Sequence, residues 1–173
     1  MKTVLVTGPI GGGKSTACRY LESLGYPVYD CDSRCKALYE ERPGLKARIE
    51  DELGIPFSEL GIIFSDAALR EKLEALVYPL LVNDIEKWKL EHAAQPLSFI
   101  ESAVALDKPL FDSLYDSVLM VTAGYRTRLA RNPLAARRDA LQHFDGNRID
   151  YTIHNGSTLR ALYKKIDEYL TTV

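Results

Sequence analysis

The sequence predicts an α/β fold, a parallel sheet flanked by helices, and three observations predict it. Short apolar runs alternate with stretches of helical period along the whole chain. The first run, Lys2 to Thr7, leads at once into a glycine-rich turn and a helix. Later runs are again separated by helical segments, and such crossovers make neighbouring strands parallel and put helices on both faces. The 173 residues suffice for one domain with a single real core. A composition of 46% hydrophobic and 27% charged residues excludes a disordered or fibrous chain.

Taken in order, Lys2 to Thr7 is a buried strand. Lys14 to Leu24 is a helix with Ala17, Tyr20, Leu21 and Leu24 on one side and Gly25 as its stop. Pro27 to Asp30 is a second strand. From Ser33 to about Glu91 the chain is mostly helical, punctuated by Pro43-Gly44, Gly54-Ile55-Pro56 and Gly61. Two amphipathic helices are expected there, one presenting Leu69, Leu73, Leu76 and Val77, the next Leu80, Leu81, Ile85 and Trp88. Leu97 to Val104 and Asp116 to Ala123 are further strands. Gly124 to Phe144 is helical and broken at Pro133. Asp150 to His154 is the last strand, and Ser157 is expected to cap a final helix with Leu159, Leu162, Tyr163, Ile166, Tyr169 and Leu170 inward.

Charge and cysteine usage narrow the function. A net charge of -2 argues against a general nucleic-acid or polybasic membrane binder. Apolar runs fall short of the ~18 residues of a membrane span, and the glycine-rich start does not read as a signal peptide. Three cysteines, Cys18, Cys31 and Cys35, are too few for a disulfide framework, so a cytoplasmic location is the simplest expectation. Cys31 and Cys35 have no histidine nearby and read as plain thiols.

The strongest signal is Gly8-Pro9-Ile10-Gly11-Gly12-Gly13-Lys14-Ser15-Thr16, which fits G-x-x-x-x-G-K-[ST] between a strand and a helix. Glycines let backbone N–H groups wrap phosphate oxygens, and the helix N-terminus adds its positive dipole end. Lys14 supplies a mobile charge for the β- and γ-phosphates, and the Ser15 hydroxyl suits Mg²⁺. Thr16 reads as a contact at the helix N-terminus. This is the P-loop NTPase fold. A GTPase reading fails, because Asn147-Arg148-Ile149-Asp150 precedes the last strand and Asp51-Glu52-Leu53-Gly54 sits in the helical stretch.

Two further clusters accompany the loop. Asp30-Cys31-Asp32 ends the second strand, on the sheet edge where ligands of such folds bind. One carboxylate there can orient an attacking hydroxyl or help hold magnesium, and one can cap the following helix. Glu101, ending Ser98-Phe99-Ile100-Glu101, is either a magnesium helper through water or a strand-end carboxylate satisfied by the lysine or the backbone. Arg126, Arg128, Arg131, Arg137 and Arg138 crowd the segment around Pro133, which is either a solvated charged face or a lid that closes on phosphates.

These residues resemble the dephospho-CoA kinase family. The loop from Thr7 to Thr16, followed by Leu24-Gly25-Tyr26-Pro27-Val28-Tyr29-Asp30-Cys31-Asp32, is similar to that family's T-G-G-I-G-S-G-K-S-T and L-G-x-x-V-I-D-A-D. Leu73 to Leu80, Phe99 to Ala103, Arg131-Asn132, Arg138 with Gln142, and Ile153 to Ser157 agree more weakly. The chain departs from the pattern at Pro9, where the family has glycine, and at Tyr78, where it has histidine; it is also shorter after Arg70 and in the lid.

The resemblance implies a nucleoside-monophosphate-kinase-like P-loop kinase. It would phosphorylate the ribose 3′-hydroxyl of dephospho-CoA with ATP and Mg²⁺ and have no nucleic-acid or membrane partner. It implies a core of about 1–32 and 96–173, a helical CoA-binding insert of about 33–95 and a lid of about 125–144. Asp32 inherits the role of facing the ribose hydroxyl, with Lys14 and Arg138 catalytic. Arg131 and Asn155 join the loop in binding nucleotide, and Asp30, Lys36, Tyr78 and Glu101 fall to the acceptor side. Another small-metabolite or nucleoside kinase, or a nucleotide-binding paralogue without catalysis, are the alternatives.

Overall fold

The computed structural model describes residues 1–135, 139, 142 and 144–173. Among these residues five strands form one parallel sheet: β1 (Lys2–Thr7), β2 (Val28–Asp30), β3 (Leu97–Glu101), β4 (Ser117–Thr122) and β5 (Tyr151–His154), in the order β2-β3-β1-β4-β5. The central strand β1 is buried on both faces, hence its continuous apolar run. Val4 and Val6 point with Leu119, Val121 and Ile153 toward helices α1 (Lys14–Ser23) and α6 (Leu159–Leu170). Leu5 points with Ile100 and Val118 to the opposite side, against α2 (Cys31–Glu41) and the second half of α4 (Ala67–Glu91). Among the described residues no helix is long and apolar enough to cross a membrane.

The helical stretch packs differently. Leu45, Ile49 and Leu53 of α3 (Leu45–Leu53) meet Leu73 and Val77 of α4 in a separate apolar cluster. A 3₁₀ segment, Phe57–Phe64, lies between the two helices in sequence and flanks that cluster. The two amphipathic helices expected here are one. Leu73, Val77, Leu81 and Ile85 form a buried stripe with a four-residue step that crosses Pro79 unbroken. Proline removes one backbone donor, and burial on both sides of it keeps the helix whole.

Two boundaries also shift. β3 stops at Glu101 and does not run to Val104, because the Ser102 hydroxyl accepts the N–H groups of Val104 (3.3 Å) and Ala105 (3.1 Å) and turns the chain. The last helix is capped by Thr158, whose hydroxyl accepts the Ala161 N–H at 3.3 Å, and not by Ser157. Leu159, the first residue of that helix, is exposed, whereas Leu162, Ile166 and Tyr169 are buried as expected. The break expected at Pro133 follows α5 (Tyr125–Arg131), which ends before it.

Candidate active site

The loop between β1 and α1 is held from behind, carbonyl by carbonyl. Asn155, buried after β5, donates from Nδ2 to the Gly12 carbonyl at 3.0 Å. Arg131 Nη1 donates to the Gly11 carbonyl at 3.2 Å, Arg128 Nη1 to the Ile10 carbonyl at 3.4 Å, and Gln142 accepts the Ile10 N–H at 3.3 Å. The Gly12 N–H is taken by the Pro9 carbonyl at 3.0 Å, so with these three carbonyls and two amides held within the protein, the other loop amides are those an anion cradle can use. Glycine is required at both ends of the cradle. Gly8 has φ +135°, and a Cβ there would lie 2.2 Å from the Val121 carbonyl oxygen. Gly13 has φ +105°, and its Cβ would lie 2.1 Å from Asn155 Nδ2. Helix α1 then opens with no capping side chain and no acid in its first turn, which leaves its N-terminus available to phosphate.

Lys14 Nζ rests on the Gly8 carbonyl at 2.8 Å. Burial pulls its pKa down, against the upward pull of the nearby Glu101 and Asp32 carboxylates. The Ser15 hydroxyl donates to Glu101 Oε1 at 2.7 Å. Glu101 is 9% exposed, and burial raises its carboxyl pKa in spite of the Ser15 hydrogen bond. Its partners are thus the Ser15 hydroxyl and the Cys18 thiol, with the Lys14 charge close by. Asp30 and Glu101 are register partners on β2 and β3, and Glu101 pairs with Val6 of β1, so the three strand ends stand side by side at the loop.

The Asp30–Asp32 pair separates cleanly. Asp30 Oδ1 accepts the N–H groups of Asp32 (3.0 Å) and Ser33 (3.2 Å), and Oδ2 accepts the Ser33 hydroxyl at 2.6 Å. It is the cap of α2. Asp32 is exposed, and among the described residues its carboxylate has no hydrogen bond or ion pair.

The other candidates scatter. Thr16 stays at the start of α1, where Arg19 reaches its hydroxyl at 3.5 Å. Lys36 is exposed on α2. Tyr78 is half-buried on α4: its hydroxyl donates to Glu74 Oε1 at 3.1 Å, and Lys108 Nζ donates to Glu74 Oε2 at 2.6 Å. The arginine cluster does not act as one. Arg128 is buried, and its guanidinium forks onto Asp139 at 2.6 and 2.7 Å while Nε binds the Ala123 carbonyl. It braces the loop from inside and its charge is already matched, unlike a lid arginine reaching for phosphate. Arg126 and Arg131 are exposed. Arg137 and Arg138 lie outside the described residues. The Asp139 partnership was not anticipated, because an acid eleven residues along a broken helical segment gives no periodic signal.

Known proteins resemble the chain in sequence and in fold. The family profile for dephospho-CoA kinase matches residues 2–153. A dephospho-CoA kinase of Porphyromonas gingivalis is 36% identical over 140 residues, covering 76% of this chain and 68% of the relative. One from Novosphingobium aromaticivorans is 29% identical over 187 aligned positions, covering 97% and 92%. Among solved structures, TT1252 from Thermus thermophilus superposes with a TM-score of 0.79 at 26% identity, covering 99% of this chain and 97% of that one. A shikimate kinase from Acinetobacter baumannii, at 17% identity and a TM-score of 0.56 over 99% and 94% of the two chains, shares the fold alone. With its loop, strand ends and match over most of its length, the chain belongs to the dephospho-CoA kinase family.

Proposed function

We propose that this chain transfers the γ-phosphoryl group of ATP to the ribose 3′-hydroxyl of dephospho-CoA, releasing ADP and coenzyme A, the last step of coenzyme A synthesis. The loop amides and Lys14 bind the β- and γ-phosphates, with Lys14 leaving the Gly8 carbonyl for the phosphate oxygens. Ser15 and Glu101 offer a hydroxyl and a carboxylate oxygen, hard donors of the kind that suit Mg²⁺. When bound, that ion supplies charge neutralisation across the β- and γ-phosphates. Asp32 accepts the hydrogen bond of the 3′-hydroxyl and takes its proton as the new O–P bond forms. A carboxylate is a weak base for an alcohol, but a loose transition state asks mainly that the hydroxyl be aimed.

The observation that carries these roles is the division of labour at the end of β2. Asp30 is consumed as a helix cap, while Asp32 is left exposed close enough to Lys14 for their charges to interact. The helical insert, with Lys36 and Tyr78 facing the acceptor, is the CoA-binding part, and Arg131 and Arg138 complete the phosphate side. An ADP-release assay with ATP and Mg²⁺ against dephospho-CoA, nucleosides, nucleoside monophosphates and shikimate tests the assignment. Turnover is expected on dephospho-CoA. Turnover on another acceptor without it overturns the assignment, and tight ATP binding with no transfer to any acceptor makes the chain a binding paralogue.

A further inference from the structure

On the outer edge of the sheet, away from the phosphate loop, Asp84 of α4 gathers three hydrogen bonds from two other elements. Its Oδ2 accepts the Tyr29 hydroxyl of β2 at 2.5 Å and Arg34 Nε of α2 at 2.9 Å, and its Oδ1 accepts Arg34 Nη2 at 3.1 Å. The remaining guanidinium donors of Arg34 reach Glu41 at 3.2 and 3.1 Å. Trp88, one turn along α4, packs edge-on against the Tyr29 ring at 5.3 Å.

Stability alone is a weak reason for this network. The side chains of Arg34 and Asp84 are 34% and 20% exposed, and ion pairs open to solvent contribute little net stability. Its geometry is more telling. Asp32 and Arg34 are two residues apart on α2, so they project about 200° apart around the helix. A fork that clamps Arg34 to α4 on one side therefore fixes the rotation with which α2 offers Asp32 on the other. Asp30 pins the start of the helix and buried Cys31 and Leu38 seat one face of it in the core, and the fork adds a directional restraint on its rotation.

The geometry points to Asp84 as a positioning residue for phosphoryl transfer, acting through Arg34 to hold α2 in the rotation that aims Asp32. This rests on the reading of Asp32 as the residue that orients the acceptor hydroxyl. Burial works against the Asp84 charge, but the Arg34 and Tyr29 hydrogen bonds hold its carboxyl below the usual carboxylate range, so Asp84 stays charged and clamped near neutral pH.

The test is a double-mutant cycle in kcat on dephospho-CoA with KM for ATP measured alongside. Asp84→Asn is isosteric and is expected to lower kcat roughly tenfold, the scale of a sub-ångström misplacement, with KM for ATP within about twofold. Arg34→Gln breaks the same fork from the other end and carries the test should Asp84→Asn fold poorly. In the Asp32→Asn background neither change is expected to lower kcat further, because the residue being aimed is gone. An unchanged kcat in the single variants, or the same fold-loss in both backgrounds, overturns the inference and leaves Asp32 in place. A fully active Asp32→Asn enzyme overturns the reading of Asp32 and the inference with it.

Discussion

The phosphate loop and the helical insert are held by opposite means. Behind the loop, directional bonds dominate: Asn155, Arg128 and Arg131 each take one loop carbonyl, and Gln142 takes one amide. In the insert, the packing of α3 on α4 relies on burial without direction, through Leu45, Ile49, Leu53, Leu73 and Val77, and the Arg34–Asp84 fork lies apart from it on α2. Around that cluster the ion pair Lys46–Glu40 and the bond from Lys72 to the Glu52 carbonyl lie at the surface. A hydrogen-bonded scaffold fixes where amides point, whereas an apolar cluster fixes only that helices stay together. Defects in the first should appear in ligand binding and turnover, and defects in the second in stability.

The largest effect is expected at Lys14. Lys14→Ala removes the charge meant for the phosphates and should lower kcat/KM about 10³-fold in a coupled assay. Its melting temperature should not fall, because burial already disfavours the ammonium in the free protein. A large loss of stability together with activity would show that the loop is structural in the same sense as the insert.

On the other side, Ile49→Ala empties a fully buried position of the insert cluster. A stability loss of about 3 kcal/mol by denaturant titration is expected, with ATP affinity by calorimetry unchanged. Asn155→Ala comes next. It leaves the Gly12 carbonyl without its buried donor, a defect of about 1–3 kcal/mol, and most of it should emerge as weaker ATP binding. If the loss appeared only in the melting temperature, the contrast between the two regions would collapse.

The smallest effect is a pH-dependent one. Burial holds the Glu101 pKa above its ordinary value, so the folded chain prefers the protonated form. Its carboxylate therefore costs stability above the folded pKa, and the cost fades as pH falls through that value toward the unfolded one. Glu101→Gln should raise the melting temperature at about pH 8 and bring no gain below about pH 4. Melting curves across that range check the sign.

The same contrast explains what was legible in the sequence. The strand, the glycines at positive φ and the helix behind them are local, so one motif announced the whole phosphate edge, and the fold class followed from the alternation around it. The supports of the loop are not local. Arg128 belongs to a run of arginines that reads as one charged face, and only the fold shows it buried against Asp139. Asp30 and Asp32 are the same residue type two positions apart, and the hydrogen bonds of α2 alone separate cap from free carboxylate. The two helices expected on either side of Pro79 are one, because packing on both sides of a proline is not visible in a sequence. Ser102 shortened β3 for a related reason, its hydroxyl competing for amides that the strand pattern assigned to the sheet.

The central claim is that binding phosphate and aiming the acceptor are separate tasks, with Asp32 given only the second. Asp32→Asn and Asp30→Asn, compared in kcat on dephospho-CoA and in ATP affinity by calorimetry, test it most directly. Asp32→Asn should lose a hundredfold or more in kcat with ATP affinity nearly intact, and Asp30→Asn should lose less. An active Asp32→Asn enzyme beside an inactive Asp30→Asn enzyme would contradict it.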